Sequence, residues 1–345
     1  MSKPILAITM GDPCGIGPEI TAKALAAQRR EAPSCRPLVV GSAAVLRKAI
    51  ILAGAELEVR AVAQAGQARY EAGRVDVLDQ DLIDADALVP GVVSAQAGNA
   101  AYQAVCAAID LAMAGQVHAV ITGPLNKEAL NLAGWRFSGH TEIFAQRTGT
   151  RQYAMMLAHG DFRVTHVSTH VSLREACDRC KKERILQVIR LSAAACRDLG
   201  INRPRIAVAA LNPHAGEGGL FGREEIEEIT PAISLARAEG LDAQGPFPAD
   251  TVFSRAIGGL HDIVVAQYHD QGHIPMKVQG FRYDREKQAW SSVDGVNITL
   301  GLPIIRSSVD HGTAFDQAWQ GRASHGSMLG AIDYGIRLAK SKFSL

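Results

Sequence analysis

Three apolar runs in this chain each lead directly into a histidine-bearing turn, and that repetition limits the fold more than any bulk property. Phe162-Arg163-Val164-Thr165-His166-Val167-Ser168-Thr169 runs into His170. Arg205-Ile206-Ala207-Val208-Ala209-Ala210-Leu211 runs into Asn212-Pro213-His214-Ala215-Gly216. Ile263-Val264-Val265-Ala266 runs into Tyr268-His269-Asp270-Gln271-Gly272-His273. Short unbroken apolar runs bounded by turn residues read as strands buried on both faces, as in a parallel sheet. Helical stretches separate them, so the alternation argues a multilayer α/β fold. In open α/β sheets, ligands collect beyond the carboxyl ends of the strands. Three imidazoles delivered there, His170, His214 and His269, can converge on one divalent metal and leave a position for substrate. His166 and His273 are alternates to that set. An all-imidazole set suits zinc or a similar ion, whereas magnesium prefers oxygen. Asp250 and Asp270 are placed to add an oxygen ligand or to orient the imidazoles.

A length of 345 residues is more than one core usually fills, which argues two lobes. Lys+Arg 36 against Asp+Glu 35 gives a net charge of +1, so no global field draws in nucleic acid or an acidic membrane. A hydrophobic fraction of 47% with a mean hydropathy of +0.03 is ordinary for a soluble globular protein. The apolar run Ile5–Met10 is too short for a signal peptide, and no stretch approaches the ~20 apolar residues of a membrane span. The expectation is a cytoplasmic protein with reduced cysteines at 14, 35, 106, 177, 180 and 196. Cys177-Asp178-Arg179-Cys180 has C-x-x-C spacing but no second pair. It reads as two cysteines one turn apart within a single helix over 174–199.

Taken in order, Ile5–Thr9 reads as a strand, and the glycine-rich turn from Gly11 to Glu19 leads into a helix with Pro18 in its first turn. The turn lacks G-x-G-x-x-G spacing, so backbone N–H groups near an anion are expected rather than a dinucleotide fingerprint. Leu38–Gly41 is a strand, and Ser42 caps the following helix. Residues 56–95 read as irregular and strand-like, 96–114 as a helix, and 117–122 as a strand. Lys127 at the next turn either holds an anion or is a surface lysine. His140 and Thr141 open another helix with Ser138 or Thr141 as cap, where they either bind an acidic ligand or serve the cap. A helix over 224–238 is expected to kink at Pro231, and 245–250 is a rigid loop presenting Asp250. The polar insert 282–292 is expected as an exposed loop or hairpin. Two strands follow at 296–300 and 304–306, and a closing helix at 327–342. Lys277 and Arg306 are cations beside apolar strands and need a partner. A substrate carboxylate or phosphate fits, as does an internal pair with Asp310 or Asp270. The small-residue loop Asp310–Asp316 is a nucleotide-loop candidate.

Lined up, these motifs resemble the 4-hydroxythreonine-4-phosphate dehydrogenase family of vitamin B6 biosynthesis, within the isocitrate/isopropylmalate dehydrogenase-like superfamily. The resemblance spans nearly the whole chain. It rests on Thr9–Glu19, Thr122-Gly123-Pro124-Leu125-Asn126-Lys127, Gly139-His140-Thr141-Glu142, Asn212-Pro213-His214-Ala215-Gly216-Glu217, Pro248-Ala249-Asp250-Thr251, Tyr268-His269-Asp270-Gln271-Gly272 and Val296–Pro303. It implies two α/β/α lobes with a cleft between them: 1–137 with 303–345, and 138–302, the latter carrying the metal ligands and the dimer interface. It further implies that His170, His214 and His269 hold one divalent metal (zinc, magnesium or cobalt) per subunit, in a site shared across a homodimer. His140, Thr141, Lys277, Asn297 and Arg306 match its substrate positions. His311, Gly312 and Asp316 fall in a loop similar to the superfamily's NAD-adenosine loop, with NADP as the alternative cofactor. The implied reaction oxidises the C3 hydroxyl of 4-phosphohydroxy-L-threonine and decarboxylates the product to 3-amino-2-oxopropyl phosphate. Lys277 or a metal-linked water is the candidate proton acceptor, and Asp250 is the second candidate catalytic residue.

Two departures bear on the substrate. The 282–292 insert lengthens the connection between Lys277 and Asn297. His273-Ile274-Pro275-Met276-Lys277 looks more like the paralogous branch acting on D-threonate or D-erythronate 4-phosphate. The branch acting on aromatic cis-dihydrodiols fits less well, because the His-Thr-Glu run is retained. Readings from other classes are a metal-dependent phosphohydrolase using the same histidines and a phosphosugar-binding module without turnover.

Overall fold

The computed structural model describes residues 2–30, 34–286 and 289–345. In chain order the elements are β1 (Ile5–Thr9), α1 (Gly17–Arg30), β2 (Arg36–Gly41), α2 (Ala43–Leu52), β3 (Glu58–Val62), β4 (Arg74–Asp79), α3 (Ala95–Met113) and β5 (Ala119–Thr122). Next come α4 (Lys127–Leu132), α5 (His140–Arg147), β6 (Ala154–His159), β7 (Phe162–His166), α6 (Leu173–Asp178), α7 (Lys182–Asp198) and β8 (Ile206–Ala209). The chain continues through α8 (Thr230–Ala238), β9 (Ala243–Phe247), α9 (Ala249–Ile257), β10 (Ile263–Ala266) and α10 (His269–Gly280). It closes with β11 (Phe281–Asp284), β12 (Ala289–Val293), β13 (Val296–Leu300), β14 (Ile305–Val309) and α11 (Gly326–Phe343).

Two compact units divide the chain: 1–151 with 283–296 and 302–345, and 152–282 with 297–301. The sequence reading placed the change of lobe at 137/138 and 302/303. The first boundary moves because α5 packs into the first unit. Ile143 and Phe144 join Leu38, Val40, Tyr102, Ile109 and Val120 in one apolar cluster. Burying those two side chains contributes on the order of 1.5–3 kcal/mol each, which fixes His140 and Thr141 to the first unit.

The first unit orders its strands β3-β4-β2-β1-β5-β14, each parallel to its neighbours within this run. Its strands are buried runs, with Leu6, Ala7 and Ile8 fully covered. Ser42, Ser94 and Asn126 accept the Val45, Ala97 and Ala129 N–H groups at the starts of α2, α3 and α4. The expected irregular stretch 56–95 contains two parallel strands, β3 and β4, whose half-exposed residues mask the apolar pattern.

The second unit orders its strands β13-β6-β7-β10-β8-β9. β7, β10, β8 and β9 run parallel, and β6 runs antiparallel to β7. The single helix expected over 174–199 is two, α6 and α7. The break comes where Cys180 turns its thiol inward toward Gln267 Oε1, 3.5 Å away. Pro231 follows a one-turn π segment, Glu225–Ile229, which absorbs the expected kink. The insert forms a two-stranded ribbon of β11 and β12.

Candidate functional site

In the second unit the three histidine-bearing runs occupy neighbouring positions, β7-β10-β8. Their parallel register brings all three carboxyl ends to one edge. His170 lies four residues past β7, His214 five past β8, and His269 opens α10.

Two buried amides bind those ends together. Gln267 Nε2 donates to the Ala209 carbonyl and Gln271 Nε2 to the Ala210 carbonyl, both at 2.7 Å. Gln271 Oε1 accepts the Gln267 N–H at 2.7 Å, and Ser168 Oγ donates to the Gln267 carbonyl at 3.0 Å. The loops after β7, β10 and β8 are thus set against one another by side chains of a single turn.

His170 and His269 come together, with ring centroids 5.7 Å apart. Two imidazoles on one tetrahedral ion have centroids roughly 5 Å apart, given a metal–nitrogen length of ~2.0–2.1 Å, so the pair fits a shared ion. Asp270 Oδ1 accepts a hydrogen bond from His269 Nδ1 at 2.6 Å. A carboxylate can only accept here, so Nδ1 carries the proton and the Nε2 lone pair is left for a metal. His214 is not grouped with this pair: its ring neighbours Phe221, and no three His, Cys, Asp or Glu among the described residues are placed to hold one ion.

The His214 turn is built by unusual backbone. His214, Ala215, Gly216, Glu217 and Gly218 are all left-handed, with φ of 51°, 54°, 79°, 42° and 66°. Non-glycine residues there cost on the order of 1–3 kcal/mol each, so the surroundings must hold them. Glu225 does so. Its Oε1 accepts the Leu211 and Asn212 N–H groups at 2.8 Å each, and its Oε2 accepts Asn212 Nδ2 at 2.9 Å.

His273 stacks on His269, and His166, tilted 46° to His273, packs beside it. His273 lies face to face on His269 at 3.6 Å, and His166 is 4.7 Å from His273. Burial, then the field of the facing imidazole, pushes His273 down to about 4 and His166 well below its ordinary value, so both are neutral. Lys277, two turns along α10 from His269, has its Nζ 4.2 Å from the Phe281 ring. Asp250 is exposed in the first turn of α9, and Asn297 is half-buried in β13.

The first unit holds a separate cationic pocket. Arg306 is 3% exposed, donates from Nη2 to Thr122 Oγ1 at 3.1 Å, and stands 5.6 Å from the Phe144 ring. Burial pulls its guanidinium down to about 9 against the opposing field of Glu142, so it stays cationic at neutral pH. His140 Nε2 is buried with no hydrogen-bond partner among the described residues, and burial plus the Arg306 charge hold the ring neutral. The expected Ser138 or Thr141 cap is not made. The cap position falls on Gly139, which places Thr141 second in α5 and leaves the first turn without a side-chain cap. A cation, a neutral imidazole and a helix N-terminus suit an anionic oxygen group.

The glycine-rich turn after β1 does not form the expected anion cradle. Its Asp12, Gly15 and Ile16 N–H groups donate to the carbonyls of Pro124, Asp12 and Thr313, and Cys14 N–H to Asp12 Oδ1. The turn instead anchors the 311–316 loop: a Cβ on Gly15 would lie 2.9 Å from Thr313 Cβ and carbonyl oxygen. His311 Nδ1 in that loop donates to the Gly312 carbonyl at 2.9 Å, and Asp316 is exposed. Lys127 is exposed at the start of α4.

Residues 33–335 match the family model described as pyridoxal phosphate biosynthetic protein PdxA. The chain belongs to the PdxA family. A D-threonate 4-phosphate dehydrogenase of Pectobacterium atrosepticum is 47% identical over 98% of this chain and 100% of its own. A 4-hydroxythreonine-4-phosphate dehydrogenase of Beijerinckia indica is 49% identical over 96% and 94%. Among solved structures, a 4-hydroxythreonine-4-phosphate dehydrogenase from Klebsiella pneumoniae superposes with a TM-score of 0.85 at 46% identity, covering 98% of each chain. An isocitrate dehydrogenase from Methylococcus capsulatus, 13% identical with a TM-score of 0.50 over 98% of this chain and 88% of its own, shares the fold. The PdxA-family fold is thus of the isocitrate dehydrogenase-like class that the motifs implied. No helix among the described residues is long and apolar enough to cross a membrane.

Sequence reasoning missed Gln267, Gln271 and Glu225 as the residues that set the histidine loops. Their only signal was polar side chains bordering apolar strand ends, where a buried amide or carboxylate needs backbone partners.

Proposed function

We propose that this PdxA-family dehydrogenase oxidises the C3 hydroxyl of a 4-phosphorylated four-carbon hydroxy acid with NAD or NADP, with loss of CO2 from the resulting β-keto acid. The observation that carries the reading is the His170–His269 pair, oriented by Asp270, in a chain similar along its whole length to dehydrogenases named for such substrates. When bound, a divalent ion would supply Lewis acidity and a nicotinamide cofactor would supply the hydride acceptor. Imidazole donors favour zinc or cobalt over magnesium. His170 and His269 hold that ion, with the third imidazole coming from His214 of a second copy in a homodimer.

Arg306, His140 and Thr141 bind the phosphate: the buried guanidinium supplies paired charge-assisted donors, and the uncapped turn of α5 adds N–H groups. Asn297 orients the hydroxyl end. Lys277 accepts the proton that leaves the C3 hydroxyl, with Asp250 passing it to solvent. His311, Gly312 and Asp316 receive the adenosine half of the cofactor.

D-threonate 4-phosphate is the favoured substrate, from the His273–Lys277 segment and the ribbon between Lys277 and Asn297. The 49% identity to a 4-hydroxythreonine-4-phosphate dehydrogenase supports 4-phosphohydroxy-L-threonine as the second reading. Initial rates of NADH formation on these two compounds and on D-erythronate 4-phosphate separate them. A higher kcat/KM on D-threonate 4-phosphate is expected. Turnover confined to the amino substrate would overturn the preference.

A further inference from the structure

We infer that His273 and His166 are positioning residues: a packed column of imidazoles that holds the ring plane of His269 for its ligand. The inference rests on the metal reading above and concerns two side chains which that reading leaves without a role.

His273 follows His269 by one turn of α10, and the two rings are nearly coplanar in orientation, 11° apart with centroids at 3.6 Å. The spacing is van der Waals contact, so His269 cannot turn about χ2 without displacing its neighbour. His273 is itself fixed, because its Nδ1 donates to the His269 carbonyl at 2.9 Å. A carbonyl only accepts, so this bond also settles the His273 tautomer. The stacked ring is thereby tied to the backbone of the residue it steadies.

His166 supports the column from below. It is 1% exposed at the end of β7, with its ring 4.7 Å from His273. Its Nδ1 contacts the Met155 carbonyl at 3.4 Å, and its Nε2 is buried with no hydrogen-bond partner among the described residues. A buried imidazole edge left unpaired costs stability, and an apolar residue would pack there without that cost. Position 272 fits the same design. A Cβ on Gly272 would lie 2.3 Å from His166 Nε2 and 2.8 Å from Val164 Cγ1, so only glycine lets the first turn of α10 settle on the His166 ring. Two successive contacts, His166 of β7 against Gly272–His273 and His273 against His269, therefore set where the ligand imidazole points.

Groups that orient a metal-bound imidazole typically change metal affinity or activity by roughly 10–100-fold when removed. The column acts through ring packing, so a flat apolar ring should serve where a branched aliphatic side chain does not.

The test uses the full-length protein stripped of metal and titrated with Co2+, read by the visible d–d absorption bands and by the Co2+ dissociation constant. Wild type, His273→Phe and His273→Leu are compared, with thermal melts of the metal-free proteins to confirm folding. His273→Leu is expected to weaken Co2+ binding by roughly 10–100-fold and shift the bands. His273→Phe should keep the wild-type spectrum and lie within about threefold of wild-type affinity. If both variants match wild type, or both lose affinity equally, ring stacking does not position His269 and the inference falls. His273→Phe, which keeps a flat ring, carries the test alone should the leucine variant not fold, since a lost spectrum in it also contradicts the stack. Failure of wild type itself to bind Co2+ would overturn the metal reading first, and the inference with it.

Discussion

His269 donates from Nδ1 to Asp270 Oδ1 at 2.6 Å, a bond between consecutive residues at the first turn of α10. It fixes both the tautomer and the rotation of the imidazole, and leaves the Nε2 lone pair free of a proton. Asp270→Asn keeps the size but removes the charge that favours this tautomer. Metal affinity, measured by competition with a chromogenic chelator, should fall by roughly 10–100-fold. Unchanged affinity would mean that His269 is not a ligand or that Asp270 does not orient it.

Gln271 spans two strand ends, donating to the Ala210 carbonyl and accepting the Gln267 N–H. Gln271→Leu strands both partners in a buried region, where each unpaired group costs about 1–3 kcal/mol. Urea unfolding should show a lower midpoint with an unchanged slope, a loss of about 2–4 kcal/mol. Turnover should fall further than stability alone explains, since the His214 and His269 loops lose a shared tie.

Arg306→Lys keeps the charge and discards the fork that reaches Thr122 Oγ1. A lysine ammonium is a poor substitute at a buried two-pronged site. KM for the phosphorylated substrate should rise roughly 10–100-fold, equivalent to the ~1.5–3 kcal/mol of a hydrogen bond to a charged group. A KM unchanged within a factor of two would place the phosphate elsewhere.

Asp12 gives a pH signature in the first unit. Burial raises its carboxyl from 3.8 to about 6, opposed only by the Cys14 N–H. The folded state therefore holds this proton more tightly than the unfolded chain, so the contribution to stability is lost as pH rises from about 4 to about 6. Asp12→Asn removes the term. The variant should gain stability relative to wild type above pH 6, by an amount on the order of 3 kcal/mol at most, and the gap should close toward pH 4. A gap independent of pH would show that Asp12 is ionised in the fold.

The strand-to-histidine runs were legible because a parallel strand buried on both faces leaves an unmistakable apolar run in sequence. Which strands neighbour one another was not, since β10 lies between β7 and β8 although it follows both in the chain. The glycine-rich turn looked like an anion cradle because sequence shows the glycines and not the acceptors that use up their N–H groups. The placement of α5 in the first unit turned on Ile143 and Phe144, whose burial partners include Leu38 and Val40, far away in the chain. His166 and His273 were visible as alternates, yet only the ring geometry separates a second pair of ligands from a column packed behind one.

The central claim is metal-dependent oxidation of a 4-phosphorylated hydroxy acid, and the most direct measurement is NADH formation from D-threonate 4-phosphate before chelation, after chelation, and after Co2+ or Zn2+ is restored. The account expects activity to disappear with chelator and return with metal. Activity that persists unchanged in metal-free protein would contradict it.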